Sequence, residues 1–188
     1  MKQIKGYITT KELAKRGYSY KDIQTLCSSG KLIRLKQGLY RNAAMFGQNQ
    51  GFIDISVVAP NAVITGLSAL SFYNLTTSMP SKITIAVLRG SRLPAIDYPP
   101  VEIKTSSAQF FEIGINTVKE GKYSFKIYSI ERAVCEAFRQ INKTGADVAK
   151  ESLGEYLKRK DKDINKLAEI AERCKVKNKI MPWVMAML

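Results

Sequence analysis

The sequence predicts an α+β protein of two parts: a small helical unit closed by a β-hairpin, then a larger mixed α/β part that ends in helices. Three observations predict it. Residues 8–41 contain two short helical segments around Gly17, followed by two basic, apolar strands around Gly38. Residues 60–130 combine one helical segment with β-branched, alternating strands, and apolar residues after 130 recur at helical spacing.

Two capping patterns define the helices of the first unit. In Thr9-Thr10-Lys11-Glu12, Thr9 is placed to accept from the amide three residues on, while Glu12 reaches back. Ser19 to Asp22 repeats this arrangement more weakly, with an acid in the first helical turn. Both segments end at a glycine suited to a left-handed φ, Gly17 and Gly30.

The strands that follow, residues 31–35 and 39–41, predict a hairpin turning at Gly38. Helix, tight turn, second helix and hairpin together form the winged helix-turn-helix pattern, whose second helix reads the DNA major groove. Lys21 and Gln24 suit guanine and adenine edges, and the hairpin cations suit phosphates. The predicted DNA contacts are Lys11, Tyr18, Ser19, Tyr20, Lys21, Gln24, Thr25, Arg34, Lys36, Gln37 and Arg41.

Charge supports this interpretation. The chain of 188 residues has a formal net charge of +14, and residues 1–51 hold ten Lys/Arg against two acids, a net of +8. Such a concentration attracts a polyanion, nucleic acid first and an acidic membrane surface second. A packed subdomain with a solvated basic face is the alternative, and the hairpin added to the charge favours nucleic acid. Without a bilayer-length apolar run or a signal-peptide pattern, the predicted location is the cytoplasm.

Catalytic chemistry is poorly supported. The chain has no histidine, which excludes Ser–His and Cys–His pairs and His-ligated metals, and its three scattered cysteines suit burial. One trio, Asp97, Glu102 and Lys104, is similar to the carboxylate–lysine set of metal-dependent nucleases. That set needs adjacent strands, and Pro99-Pro100 disfavours a hairpin there. We therefore predict no enzyme, no cofactor and no metal.

The predicted domains are 1–44, a linker at 45–58, and an α/β domain at 59–188. In the last, a helix is expected at about 65–73, and strands at 83–88, 101–104, 110–113 and 123–128. A helix capped by Ser129 follows, in which Arg132 and Glu136 form an exposed or half-buried i,i+4 ion pair. Further helices are expected at 146–160, 163–174 and 180–188.

Residues 8–41 resemble the amino-terminal winged helix of AbiEi-type antitoxins, the antitoxin half of the type IV abortive-infection pair AbiE. The resembling features are the Thr-Thr-Lys-Glu-Leu-Ala opening, the glycine turn, the Gly-Lys-Leu-Ile-Arg step and the Gly-Leu-Tyr-Arg close. Residues 59–188 resemble the carboxyl-terminal domain of these antitoxins through Thr65-Gly-Leu-Ser-Ala-Leu, the strand before Arg89, and Ile127-Tyr-Ser-Ile-Glu-Arg-Ala-Val.

The resemblance implies two activities. The winged helix would bind operator DNA at inverted repeats and repress the protein's own operon. The larger domain would counteract a co-encoded nucleotidyltransferase-like toxin without a stable complex. Two alternatives stay open: a plain winged-helix transcription factor whose second domain senses a ligand or dimerises, and a nuclease that uses Asp97, Glu102 and Lys104.

Overall fold

The computed structural model describes residues 4–188 and has the predicted α+β class. The first three residues of the predicted domain 1–44 lie outside the described residues. Among residues 4–188, no helix combines the length and the apolar character needed to cross a membrane.

The amino-terminal unit alternates short strands and helices. Its elements are β1 (Tyr7–Thr9), α1 (Thr10–Lys15), α2 (Tyr20–Ser28), β2 (Leu32–Lys36) and β3 (Leu39–Asn42). The strands form an antiparallel sheet in the order β1-β3-β2, so the hairpin gains a third strand. The two helices pack on this sheet over a small core of Ile8, Leu13, Ile23, Leu32 and Tyr40.

Both predicted capping boxes are confirmed. The Thr9 side chain accepts a hydrogen bond from the Glu12 amide (3.2 Å), and the Thr9 amide donates to the Glu12 carboxylate (2.8 Å). Ser19 and Asp22 exchange the same two bonds at 3.2 and 2.8 Å. In each helix the side chains of the capping box therefore satisfy two amides, that of the N-cap residue and that of the third helical residue. The Thr10 amide at the start of α1 donates instead to the Gly38 carbonyl of the hairpin turn (3.0 Å).

Main-chain hydrogen bonds close the carboxyl ends of both helices. Gly17, with a φ of +86°, donates to the Ala14 carbonyl (3.0 Å), and the Tyr18 amide donates to the Leu13 carbonyl (3.1 Å). The equivalent bonds that end α2 join Gly30 to Cys27 (3.0 Å) and Lys31 to Leu26 (2.9 Å). This pair of main-chain hydrogen bonds is the Schellman motif. At the end of α1 it fixes the tight turn between α1 and α2.

The larger part is a mixed sheet with helices. Its elements are α3 (Gln50–Val58), β4 (Val63–Ile64), α4 (Gly66–Phe72), β5 (Ile83–Leu88), β6 (Val101–Ser106), α5 (Ala108–Phe111), β7 (Ile115–Glu120), β8 (Tyr123–Tyr128), α6 (Ile130–Arg139), α7 (Ile141–Thr144), α8 (Ala146–Lys158), α9 (Ile164–Arg173) and α10 (Lys177–Met187). The sheet order is β6-β5-β4-β8-β7. The β5–β6 and β4–β8 pairs are parallel, and the other two pairs are antiparallel.

The main core lies between one face of this sheet and the helices, with α6 at its centre. Along α6 every residue from Glu131 to Phe138 is buried. The Arg132–Glu136 pair (3.0 Å) is buried too, with side chains 2% and 8% exposed, whereas the sequence predicted an exposed or half-buried pair. The Arg132 guanidinium also lies 4.8 Å from the centre of the Tyr128 ring.

Several elements differ from the sequence prediction. The strands β1, β4 and β7 and the short helix α7 were not predicted, and two further segments have another structure than expected. Residues 110–113 were expected to form a strand, which is wrong: Phe110 and Phe111 end the short helix α5, and Phe111 is buried against the second face of the sheet. Residues 50–58, predicted as part of the linker, form α3, whose Ile53, Ile55 and Val58 are buried. The division into domains stays a prediction.

A β-bulge brings the two parts together. The β2–β3 register shifts between Arg34 and Lys36, which leaves Leu35 out of the ladder. The Leu35 carbonyl instead accepts the amides of Asp97 (2.8 Å) and Tyr98 (3.3 Å), from the loop between β5 and β6. The amino-terminal unit is therefore joined to the larger part through main-chain atoms of its hairpin.

Candidate nucleic-acid interface

The outer face of α2 is open to solvent. Lys21, Gln24, Thr25 and Ser28 are all exposed, and the Tyr20 side chain is 70% exposed. The opposite face carries the buried Ile23, as the apolar spacing predicted. In the part of the chain that the structure describes, this flank of α2 is left uncovered, so its polar side chains are open to solvent.

An open groove separates α2 from the hairpin. It encloses about 640 Å³ and is lined by Tyr20 and Gln24 from the helix and by Arg34 and Gln37 from the hairpin. The structure thus brings together four of the predicted contact residues from two elements. Their amide, guanidinium and hydroxyl groups can hydrogen-bond both base edges and phosphates.

Of the other predicted contact residues on the two helices, one is exposed and three have side chains engaged within the unit. Lys11 is exposed on α1. The Thr25 hydroxyl donates within its own helix to the Lys21 carbonyl (3.0 Å), and the Ser19 hydroxyl donates to the Asp22 carboxylate (2.7 Å). Tyr18 is half-buried against the small core. Ser19 and Tyr18 therefore serve mainly the helix entry, since the amides of both residues also donate within the unit, to Asp22 and to Leu13.

Two cations of the hairpin, Arg34 and Lys36, contact residues of the larger part. The Arg34 Nε lies 2.7 Å from a carboxylate oxygen of Asp97 in a half-exposed ion pair. Lys36 Nζ donates to the Val58 carbonyl (3.3 Å) at the end of α3. Lys36, which the sequence predicted as a phosphate contact, is therefore half-buried with its ammonium group bonded at the end of α3.

Arg41, predicted as a DNA contact, is buried. It is 4% exposed, and its Nε lies 3.0 Å from Asp54 of α3, whose side chain is fully buried. Asp54 also accepts the Tyr7 hydroxyl (2.7 Å) and the Gln50 amide (2.9 Å). Burial, together with the bond to Asp54, raises the pKa of the Tyr7 hydroxyl, which keeps it protonated and donating. Arg41 is withdrawn from the contact set because its charge neutralises a buried carboxylate.

The acids of the unit are held at helix starts. Hydrogen bonds from Thr9 lower the pKa of Glu12, and hydrogen bonds from Ser19 lower the pKa of Asp22. Both carboxylates stay ionised at neutral pH at the positive ends of α1 and α2. They offset part of the positive field there and leave the outer face of α2 to Lys21, Gln24 and Thr25.

The nuclease alternative gains no support from the geometry. Asp97 pairs with Arg34, while Glu102 lies on the edge strand β6 and accepts the Thr84 hydroxyl (3.2 Å). Between residues 4 and 188 there is no group of three His, Cys, Asp or Glu side chains placed to hold a metal ion. Sequence reasoning had assigned Asp97 to this trio and missed its position beside the groove, since no local signal relates residue 97 to residue 34.

Residues 2–43 match a protein-family model described as "Transcriptional regulator, AbiEi antitoxin". A comparison with curated proteins gives no match. The matched segment includes both capped helices and the hairpin, and so covers the exposed face of α2 and the groove. The resemblance to AbiEi-type antitoxins that the sequence predicted is thereby confirmed for the amino-terminal unit.

Proposed function

We propose that the protein is a DNA-binding antitoxin that represses its own operon and counteracts a co-encoded nucleotidyltransferase-like toxin. The observation that carries the DNA-binding half is the open polar face of α2 beside the Arg34–Gln37 groove. It lies in a segment of net charge +8 that matches a transcriptional-regulator family. The proposed location is the cytoplasm.

In this proposal α1, α2 and the β2–β3 hairpin act as a winged helix-turn-helix. The first turns of α2 enter the major groove, where Lys21 and Gln24 reach base edges. Tyr20, at the start of the helix, contacts sugar or phosphate, and Gln37 approaches the neighbouring backbone from the hairpin turn. The short connection through Gly17 sets the angle between the two helices.

Counterion release supplies most of the binding free energy. Besides Lys21, the cations Lys11, Lys15, Arg16 and Lys31 are exposed on or beside the two helices. If these four cations each neutralise one phosphate, log Kobs should fall with log salt with a slope of about −3.6. A salt response near zero would contradict the proposal.

The experiment is a fluorescence-anisotropy titration against the promoter of the protein's own gene and a random duplex of equal length. Lys21→Ala and Gln24→Ala should each lower the preference for the promoter by about 5- to 100-fold, because each removes one base contact. Lys160→Ala, an exposed lysine of the larger domain, is the matched control and should leave the preference unchanged. Equal losses on both duplexes would place Lys21 and Gln24 among phosphate contacts.

The proposed antitoxin activity rests on the family match of residues 2–43. In this proposal the larger domain, residues 59–188, neutralises the toxin. Co-expression with the neighbouring gene tests it. Growth rescue by the full chain, kept when Lys21→Ala abolishes repression, would separate the two activities. No rescue would overturn the antitoxin proposal and leave a plain transcription factor.

That second candidate has one structural observation in its favour. The larger part contains a cavity of about 300 Å³ between the second face of the sheet and the loop after β5. Leu93, Phe111 and Ile115 give it apolar walls, and Lys126 lies beside them. A cavity of this size and lining is typical of small-ligand sites, so a ligand-dependent repressor is the alternative.

A further inference from the structure

We infer that Asp97, a residue of the larger domain, belongs to the DNA interface as a positioning residue that aims Arg34 at a base edge. The inference rests on the proposed DNA-binding function and refines it. It concerns the groove between α2 and the hairpin, where Arg34 lies across from Gln24.

The place of Asp97 is set by the backbone. Because Leu35 bulges out of the hairpin, its carbonyl is free to accept the Asp97 amide at 2.8 Å and the Tyr98 amide at 3.3 Å. Residue 97 is thus held beside residue 35, directly next to Arg34 in the chain. The carboxylate then meets Arg34 Nε at 2.7 Å.

This contact leaves the two terminal nitrogens of the Arg34 guanidinium available. The closest approach uses Nε, the nitrogen nearest the chain. Among residues 4–188, the ion pair with Asp97 is the one side-chain contact recorded for the Arg34 guanidinium, and the Arg34 side chain is 53% exposed. An ion pair on the Nε side orients the plane of the guanidinium and leaves the two terminal nitrogens, which read guanine O6 and N7, directed away from Asp97.

Charge supports the same assignment. Arg34 and Asp97 together carry no net charge, so the pair adds little to phosphate attraction. The hairpin arginine, assigned to the DNA backbone on the sequence pattern, is therefore better suited to sequence discrimination. The ion pair is half-exposed and adds little stability on its own. Its effect is to orient the Arg34 guanidinium.

The test uses a duplex that the wild-type chain enriches from a random library, compared with an unselected duplex of equal length, in anisotropy titrations at several salt concentrations. Asp97→Asn keeps the amide that bonds to Leu35 and frees the charge of Arg34. The ratio of affinities, selected over unselected, should fall at least about fivefold, the lower limit for losing one bidentate base contact. The salt slope should steepen by about 0.9, because Arg34 then takes a phosphate.

Arg34→Ala combined with Asp97→Asn restores the wild-type net charge. This double variant should bind the unselected duplex within about twofold of wild type with the wild-type salt slope, yet keep the low ratio. Asp161→Asn, which breaks the exposed Arg159–Asp161 pair (2.8 Å) of the larger domain, is the matched control and should change neither quantity.

Two results would overturn the assignment. If Asp97→Asn strengthens binding to both duplexes equally, Asp97 only shields Arg34. If the ratio survives in the double variant, Arg34 reads no base. A wild-type chain that enriches no duplex removes the proposed function and this assignment together, whereas enrichment with an unaltered ratio removes the assignment alone.

Discussion

Removing the carboxylate of Asp54 tests whether Arg41 has a structural role. In the Asp54→Ala variant the Arg41 guanidinium stays buried without its counter-ion, because its side chain is only 5% exposed. The hydroxyl of Tyr7 and the amide of Gln50 lose their acceptor in the same step. The variant should therefore be strongly destabilised.

The magnitude follows from the geometry. Unit charges 3.0 Å apart attract by about 5–6 kcal/mol at an effective dielectric constant of about 20. Breaking a buried pair by removing one partner typically costs about 3–5 kcal/mol, since the remaining charge is uncompensated. We expect the free energy of unfolding to fall by about 3–5 kcal/mol. The pair of Arg41→Met and Asp54→Leu should cost less than Asp54→Ala alone, because no charge is then left buried.

Urea unfolding monitored by circular dichroism measures this change. Arg34→Ala is the matched control: its ion pair is half-exposed, so its loss should cost less than about 1 kcal/mol. The reasoning is refuted if Asp54→Ala costs under about 1 kcal/mol. It is also refuted if Arg41→Ala weakens DNA binding while leaving stability unchanged, since that result would return Arg41 to the contact set.

Three further predictions concern local geometry. Gly114 has a φ of +71°, and an added Cβ would lie 2.9 Å from Arg132 Cβ. Gly114→Ala should therefore lower the free energy of unfolding by at least about 2–3 kcal/mol. Gly121, with a φ of +60° and open space around it, is the control, and Gly121→Ala should lower it by only about 1–2 kcal/mol in the same urea assay. Lys175 follows the C-cap residue of α9 with a φ of +57°, so Lys175→Gly should raise the free energy of unfolding by about 0.5–1 kcal/mol. No gain in a thermal melt would contradict the strain argument. The pKa of Glu12 is lowered from 4.5, so the stability from its cap is full above that pH and is lost as pH falls through the lowered value; Glu12→Gln should flatten this acid dependence in urea unfolding at several pH values.

The amino-terminal helices could be predicted because their signals are local. Thr9 with Glu12, and Ser19 with Asp22, lie three residues apart, and the glycine that ends each helix follows within a turn. α3 has no such signal: Asn49 precedes it without a side-chain cap bond. Its stability comes from burying Ile53 and Ile55 in a core assembled from distant segments, which a window of sequence does not show.

The site was predictable to the same extent. The exposed face of α2 follows from the spacing of Ile23 and its apolar neighbours, and the structure has it open. Arg41 and Arg34 could not be placed, because their partners Asp54 and Asp97 lie 13 and 63 residues further along. For a cation, sequence pattern gives the charge, and only the fold shows which acid already neutralises it.

The bulge at Leu35 has a consequence for any assembly on DNA. Carbonyl and amide groups make the contact with residues 97 and 98, so replacing the side chains there should leave that contact intact. The helix α2, proposed to read DNA, should then keep its orientation on the larger part. The segment between β3 and α3 then does not let α2 move independently of the larger part. Two copies on one inverted repeat would have their half-site spacing set by how their larger lobes meet, and inserting residues at 43–49 would not lengthen it.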